Sequence, residues 1–323
     1  MNDHALITAG SQSGDDPVAI FVMGPTASGK TDLAVECVRH LPCDIISVDS
    51  AMVFRGMDIG TAKPDASTLE TAPHRLIDIL DPSEVYSAAR FREDALREMK
   101  CISDQGRIPL LVGGTMLYFH ALQSGLSSLP SADPGVRARL LAEADRFGWE
   151  YMHRRLVEVD PDAAARIHPH DPQRIQRALE VYEITGQPMS VLRAKPRSEL
   201  LPYRLIKIAL MPENRARLRE RIASRFLHML ESGLVEEVSA LYERGDLTPE
   251  MPSIRSVGYR QVWDYLEGGT DQDQMRYRGI TATCQLAKRQ ITWLKRELNC
   301  NFFDTQPVLF ANMHRRLKIT LSL

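Results

Sequence analysis

The 323-residue sequence predicts an α/β protein: a parallel sheet flanked by helices, interrupted by a small all-helical insertion domain. Three observations predict it. Continuous β-branched and apolar runs at 18–22, 44–48, 107–112 and 203–210 alternate with helical stretches, and such runs suit strands buried on both faces. A glycine-rich loop separates the first run from the first helix. Two punctuated stretches, 124–135 and 186–202, bracket a segment whose pattern is helical throughout.

In chain order, residues 1–16 are polar, Gly/Ser-rich and lack a basic start, so a flexible leader is expected and not a secretory signal. A core domain is expected over 17–123 and 201–323, with the insertion at 124–200. Its first strand, 18–22, runs into the glycine loop and a helix over about 31–40. The strands at 44–48 and 107–112 follow, the latter ending in Gly113 and Gly114. Within the insertion, Asp171 and Pro172 form an N-cap and first-turn pair opening a helix that ends near Gly186. The run at 203–210 rejoins the sheet, and helices continue to about residue 298.

Composition narrows the class. With 44% hydrophobic and 25% charged residues, the chain can bury a sizeable core, which excludes general disorder. No apolar run approaches the roughly 20 residues of a membrane-spanning helix, so no membrane partner is expected. Cys37, Cys43, Cys101, Cys284 and Cys300 are scattered without a CxxC pair, which argues against a disulfide framework and a structural zinc. A reduced, cytoplasmic monomer is the expectation. A net charge of −2 gives no global basic field, although local basic clusters exist.

Gly24, Pro25, Thr26, Ala27, Ser28, Gly29, Lys30 and Thr31 fit G-x-x-x-x-G-K-[ST] between a strand and a helix. Backbone N–H groups in such a loop converge on phosphate oxygens, Lys30 adds a point charge and Thr31 can hold Mg²⁺. The sheet is therefore P-loop NTPase-like. A nucleotide-hydrolysing relative would carry an Asp after a hydrophobic strand; here the strand ending at Val112 runs into Gly113, Gly114 and Thr115. Asp49 is the one carboxylate immediately beyond an early strand, placed for metal support, for general-base work or simply for capping a turn.

Basic residues cluster in three places. Gln173, Arg174 and Arg177 share a helical face opposite Ile175 and Leu179. Arg215, Arg217, Arg219, Arg221 and Arg225 crowd one helix; any of them could approach a diphosphate or an RNA backbone, and the pattern does not choose among them. In the last helix Lys288 and Lys295, and Arg289 and Arg296, repeat every seven residues beside Leu286 and Trp293. Each stripe suits RNA phosphates or a plain solvated face. His168 and His170 lack a third ligand, so no metal is expected there.

The P-loop, Asp49-Ser50, Gly60-Thr61-Ala62-Lys63-Pro64, Gly113-Gly114-Thr115 with Leu117-Tyr118, Asp171 through Arg177, and Val257-Gly258-Tyr259-Arg260-Gln261 occur in an order that resembles the bacterial tRNA dimethylallyltransferases. The likeness runs from about residue 18 to 297. It implies transfer of a dimethylallyl group from dimethylallyl diphosphate to N6 of the adenosine just 3′ of the anticodon, in tRNAs reading codons that begin with U. The P-loop would then hold the donor diphosphate with Mg²⁺ on Thr31, and Asp49 would be the general base. Thr115 and Arg137 match family positions near the reacting groups. The resemblance further implies that the tRNA anticodon stem-loop meets Asp49, Ser50, Ala51 and Met52; Gln173, Arg174, Ile175, Gln176 and Arg177; Ser256, Val257, Gly258, Tyr259, Arg260 and Gln261; and Gln285 and Lys288. The family's usual Asp-Ser-x-Gln-x-Tyr is here Asp49 to Phe54, with Met52 and Phe54 replacing an amide and a phenol. Met116 stands where a glycine is common, and Cys284 where an arginine is. Read from the residues alone, a small-metabolite P-loop kinase and a nucleotide-gated RNA-binding protein remain the alternatives.

Overall fold

The computed structural model describes residues 16–125, 129–194 and 201–304; the leader expected at 1–16 lies outside them but for its last residue. Six strands form one parallel sheet: β1 (Val18–Met23), β2 (Cys43–Val48), β3 (His74–Arg75), β4 (Ile108–Gly113), β5 (Arg204–Leu210) and β6 (Asn301–Phe303). Their order is β3-β2-β4-β1-β5-β6. The four predicted runs are its four central strands. The edges, of two and three residues, are too short to show a pattern in sequence.

Register follows burial. Ile20 lies beside Leu110 and Ile206, and Val22 beside Val112 and Ile208. Helix α1 (Lys30–His40) lays Leu33, Ala34 and Cys37 on this apolar layer. Helices α2 (Ala66–Thr71), α3 (Ala88–Asp104) and α4 (Met116–Ser124) follow, and α4 puts Phe119 against Phe21 with ring centroids 5.1 Å apart. Covering both faces explains why the central strands read as unbroken apolar runs. At the end of β4, Gly113 is obligatory, because a side chain there would collide with the Val48 carbonyl.

The chain divides into two compact units, one of residues 123–201 and one of the remainder. The smaller unit contains α5 (Pro134–Phe147), α6 (Trp149–Val159), α7 (Pro161–Ala164), α8 (Pro172–Thr185) and α9 (Met189–Ala194). Three Asp-Pro pairs start helices here: Asp133, Asp160 and Asp171 each accept a first-turn N–H while proline occupies the first helical position. Leu140, Met152, Leu156, Ile175 and Leu179 make its own core. The larger unit is completed by α10 (Arg215–Glu231), α11 (Leu234–Glu243), α12 (Tyr259–Leu266) and α13 (Gln272–Leu294). Among the described residues no helix is long and apolar enough to cross a membrane, and all five cysteines are free thiols.

Candidate active site

The carboxyl ends of β1, β2 and β4 open into one cavity of about 540 Å³ within the larger unit, walled further by α10 and α13. That is where an open parallel sheet binds its ligands. At the end of β1 the glycine loop turns through left-handed backbone at Ala27 (φ 58°) and Gly29 (φ 83°) before Lys30 opens α1. Lys30 Nζ donates to the Pro25 carbonyl at 2.6 Å, within its own loop. Burial first, and then the neighbouring Arg225 guanidinium, lower its pKa to about 7 against the opposing pull of Asp49.

Arg225 resolves the choice that the arginine-rich helix left open. Arg215, Arg217 and Arg219 are exposed, whereas Arg225 is half-buried on the cavity wall. Desolvation depresses its pKa while Asp49 pulls it up. Among the described residues it has no hydrogen bond or ion pair. Two desolvated cations beside a glycine loop are chemically suited to an anion.

Asp49 ends β2 and lines the same cavity. Its Oδ1 accepts from the Ala51 and Met52 N–H groups at 2.8 and 3.3 Å, so the turn-capping role and a place at the site coexist in one carboxylate. Thr115, after β4, receives the Ser50 N–H on its Oγ1 at 3.1 Å and donates its own N–H to the Val48 carbonyl at 3.2 Å. Gln290 of α13 joins the two remaining loops: its Oε1 accepts from Thr26 N–H at 2.8 Å and its Nε2 donates to the Gly114 carbonyl at 2.9 Å. Thr31, Ser50, Ala51 and Met52 also line the cavity, with Met116, Leu117 and Trp293 as apolar wall.

The family model for IPP transferase matches residues 52–297. The chain belongs to the IPP transferase family. It is 66% identical to a tRNA dimethylallyltransferase of Thioalkalivibrio sulfidiphilus over 86% of this chain and 87% of that one. Identity to the tRNA dimethylallyltransferase of Alkalilimnicola ehrlichii is 62%, over 88% and 90%. Among solved structures, the tRNA isopentenylpyrophosphate transferase of Bacillus halodurans superposes with a TM-score of 0.69 at 36% identity, over 94% and 95% of the two chains. A eukaryotic dimethylallyltransferase captured acting on tRNA gives 0.79 at 26%, over 95% and 80%. Family membership makes the chain a prenyltransferase.

Other residues expected at the site of this IPP transferase are placed differently. Ser256, Val257 and Gly258 line the cavity, and Arg260 is exposed. Tyr259 does not project outwards: its ring is fully buried and its hydroxyl donates to Glu237 Oε1 at 2.6 Å. Gln261 turns back to accept the Gly258 N–H at 2.8 Å, capping α12. Gln285 and Lys288 are exposed on α13. In the smaller unit Gln173 and Arg174 are exposed, but Ile175 is fully buried, so its side chain meets protein and not RNA. Gln176 donates to the Arg137 carbonyl at 3.2 Å. Arg137 and Arg177 both bind the buried carboxylate of Glu180, at 2.9 and 2.7 Å, and Arg177 also donates to the Pro130 carbonyl at 2.6 Å. Of the substituted family positions, Met52 and Met116 line the cavity while Phe54 is core. Cys284 packs beside the Leu218 and Ile222 cluster between α10 and α13.

Sequence reasoning passed over Glu237. Its carboxylate accepts the consecutive N–H groups of Asp58, Ile59 and Gly60 at 2.8, 2.7 and 3.1 Å, besides the Tyr259 hydroxyl. This fixes the loop through Gly60, Thr61, Ala62 and Pro64 as a cavity wall. A glutamate in the first turn of a helix reads as an ordinary partner of the helix dipole and carries no sequence signal for such a role.

Proposed function

We propose that the chain transfers a dimethylallyl group from dimethylallyl diphosphate to N6 of the adenosine immediately 3′ of the anticodon, in tRNAs reading codons that begin with U. The observation that carries this is one cavity holding a complete phosphate loop, two desolvated cations and a carboxylate, with no acidic residue after β4. That set suits a diphosphate that leaves better than an ATP that is hydrolysed.

The geometry supports a division of labour. Loop N–H groups, Lys30 and Arg225 hold the diphosphate and take up its charge as the allylic C–O bond breaks. Met116, Leu117 and Trp293 offer the hydrocarbon an apolar wall. The exocyclic adenine amine is a weak nucleophile, and Asp49 accepts its proton as the N–C bond forms, a role worth roughly 10²–10⁴-fold. Thr115 holds Ser50, and so the turn that aims Asp49. The acceptor comes as an anticodon stem-loop, whose target base leaves its stack to enter. Exposed Gln173, Arg174, Arg260, Gln285 and Lys288 are the RNA contacts this reading retains.

Thr31 lines the cavity at the end of the phosphate loop. A hydroxyl there fits Mg²⁺, which keeps waters and shares substrate phosphate oxygens. Thr31 would hold the ion, which when bound supplies further neutralisation of the leaving diphosphate. A lone chain acting in the cytoplasm, where thiols stay free and tRNA is at hand, completes the reading.

A single-turnover assay with labelled dimethylallyl diphosphate, Mg²⁺ and an anticodon stem-loop, without ATP, tests the reading. Label enters the RNA and is lost when the target adenosine is replaced. Asp49→Asn abolishes transfer while RNA affinity stays. Absent transfer together with ATP binding that diphosphate displaces would favour a kinase instead.

A further inference from the structure

Two loops that must cooperate in the proposed transfer leave neighbouring strands, β1 and β4, whose backbones pair as far as Met23 and Gly113. Beyond that pair a single side chain bridges the loops. Gln290 accepts from the phosphate loop at Thr26 and donates to Gly114. Gly114 is shaped for this contact, since a Cβ there would strike Gln290 Nε2. Beyond Gly114 the connections continue through Thr115 to Ser50 and the Asp49 turn. A path of hydrogen bonds thus runs from the diphosphate cradle to the carboxylate.

We propose that Gln290 is a positioning residue that sets the separation between donor cradle and general base. The proposal rests on the reading of the cavity given above. An amide is suited to the task because it accepts at one end and donates at the other. A carboxylate can only accept, and a methionine of similar length does neither. Gln290 is itself half-buried, so its loss leaves Thr26 N–H and the Gly114 carbonyl within reach of water and spares the fold. It loosens the separation instead. Transfer needs reacting atoms within about 3–3.5 Å, and a 1 Å misplacement costs about a hundredfold.

The full-length protein carrying Gln290→Met or Gln290→Glu tests this, with three readouts: thermal midpoint, pyrophosphate affinity by calorimetry, and single-turnover transfer against pH. Gln290→Met should melt near the parent midpoint and bind pyrophosphate within about threefold of it. Its transfer rate should fall about a hundredfold, with the RNA concentration giving the half-maximal single-turnover rate little changed. In Gln290→Glu the ionised side chain repels the Gly114 carbonyl, but once protonated its O–H donates there while its C=O accepts from Thr26. Its transfer rate, divided by that of the parent at each pH, should therefore climb as pH falls from 8 to 5.5, while the Met ratio stays flat. A Met variant with parental transfer, a pyrophosphate affinity that drops in step with the rate, or a flat Glu ratio would each overturn the proposal. If Gln290→Met fails to fold, the Glu ratio decides alone, because both protonation states are read in one folded sample. A parent protein that does not bind pyrophosphate would remove the donor-site reading, and this proposal with it.

Discussion

Arg225 and Arg177 are both half-buried arginines on helices, and they dispose of their guanidiniums in opposite ways. Arg177 is satisfied within its own unit, by buried Glu180 at 2.7 Å and the Pro130 carbonyl at 2.6 Å. Burial alone would raise the Glu180 carboxyl; the bonds from Arg177 and Arg137 outweigh it and hold it below the usual range. Arg225 has no such partner among the described residues, and desolvation has already weakened its hold on a proton. A desolvated cation that feels Asp49 only at a distance, with no bonded counter-charge, is costly unless a ligand supplies one. The difference teaches that the informative property of an arginine is not its exposure but whether the protein itself completes it.

The comparison is sharpest if each arginine is removed. Arg225→Ala should cut transfer by about 10²–10³-fold, the usual cost of losing one preorganised donor to developing negative charge, and weaken pyrophosphate binding alongside. Arg177→Ala should leave pyrophosphate affinity untouched and instead cost about 2 kcal/mol of stability, because Glu180 keeps Arg137 but loses one charged partner. Calorimetric titration and chemical denaturation on both variants read this out. Pyrophosphate affinity lost in Arg177→Ala, or kept in Arg225→Ala, would break the distinction. Stem-loop affinity adds a second edge: Arg174, exposed and one turn nearer the start of α8, should matter more to RNA than Arg177 does.

How much was legible in sequence follows the same line. The phosphate loop could be read because its chemistry lies in consecutive backbone groups, and Asp49 because it directly follows an apolar run. The four central strands were readable because both faces are covered, which leaves an unbroken apolar signature. The resemblance carried Tyr259, Ile175 and Gln261 towards RNA as members of motif blocks, although the pattern itself set Ile175 on the opposite, apolar face. Their side chains meet Glu237, the helical core and a cap bond respectively, and Tyr259 still lines the cavity. Helical periodicity separates an apolar face from a polar one, but it cannot tell a solvated polar residue from one bonded inward. Gly60 shows the same limit and gives a smaller test. A Cβ there would sit 2.5 Å from Tyr259 Cε2, on a ring that Glu237 holds in place. Gly60→Ala should cost about 1–2 kcal/mol through overpacking and reduce RNA affinity more than pyrophosphate affinity. Equal loss of both would mean that this wall serves the donor.

The smallest effect concerns Lys30, which stands between the two arginines in character because its charge is conditional. Its pKa in the folded protein is lowered from 10.5 to about 7, by burial first and Arg225 second. The unfolded chain therefore holds a proton between about pH 7 and 10.5 that the folded chain has released, so this group makes stability rise with pH across that window. Anion binding works the other way. A bound diphosphate favours the ammonium, so binding above pH 7 takes up a proton, and affinity falls by at most about tenfold per pH unit. Pyrophosphate's own ionisation also changes with pH, which makes the ratio of parent to Lys30→Met the quantity to measure. From pH 7 to 9 the parent should gain thermal stability relative to Lys30→Met while losing its advantage in pyrophosphate affinity. Opposite slopes in the two measurements identify one conditional charge serving as both a folding liability and a ligand contact. Parallel slopes, or none in either, would place the titrating group elsewhere and return the phosphate loop's charge to Arg225 alone.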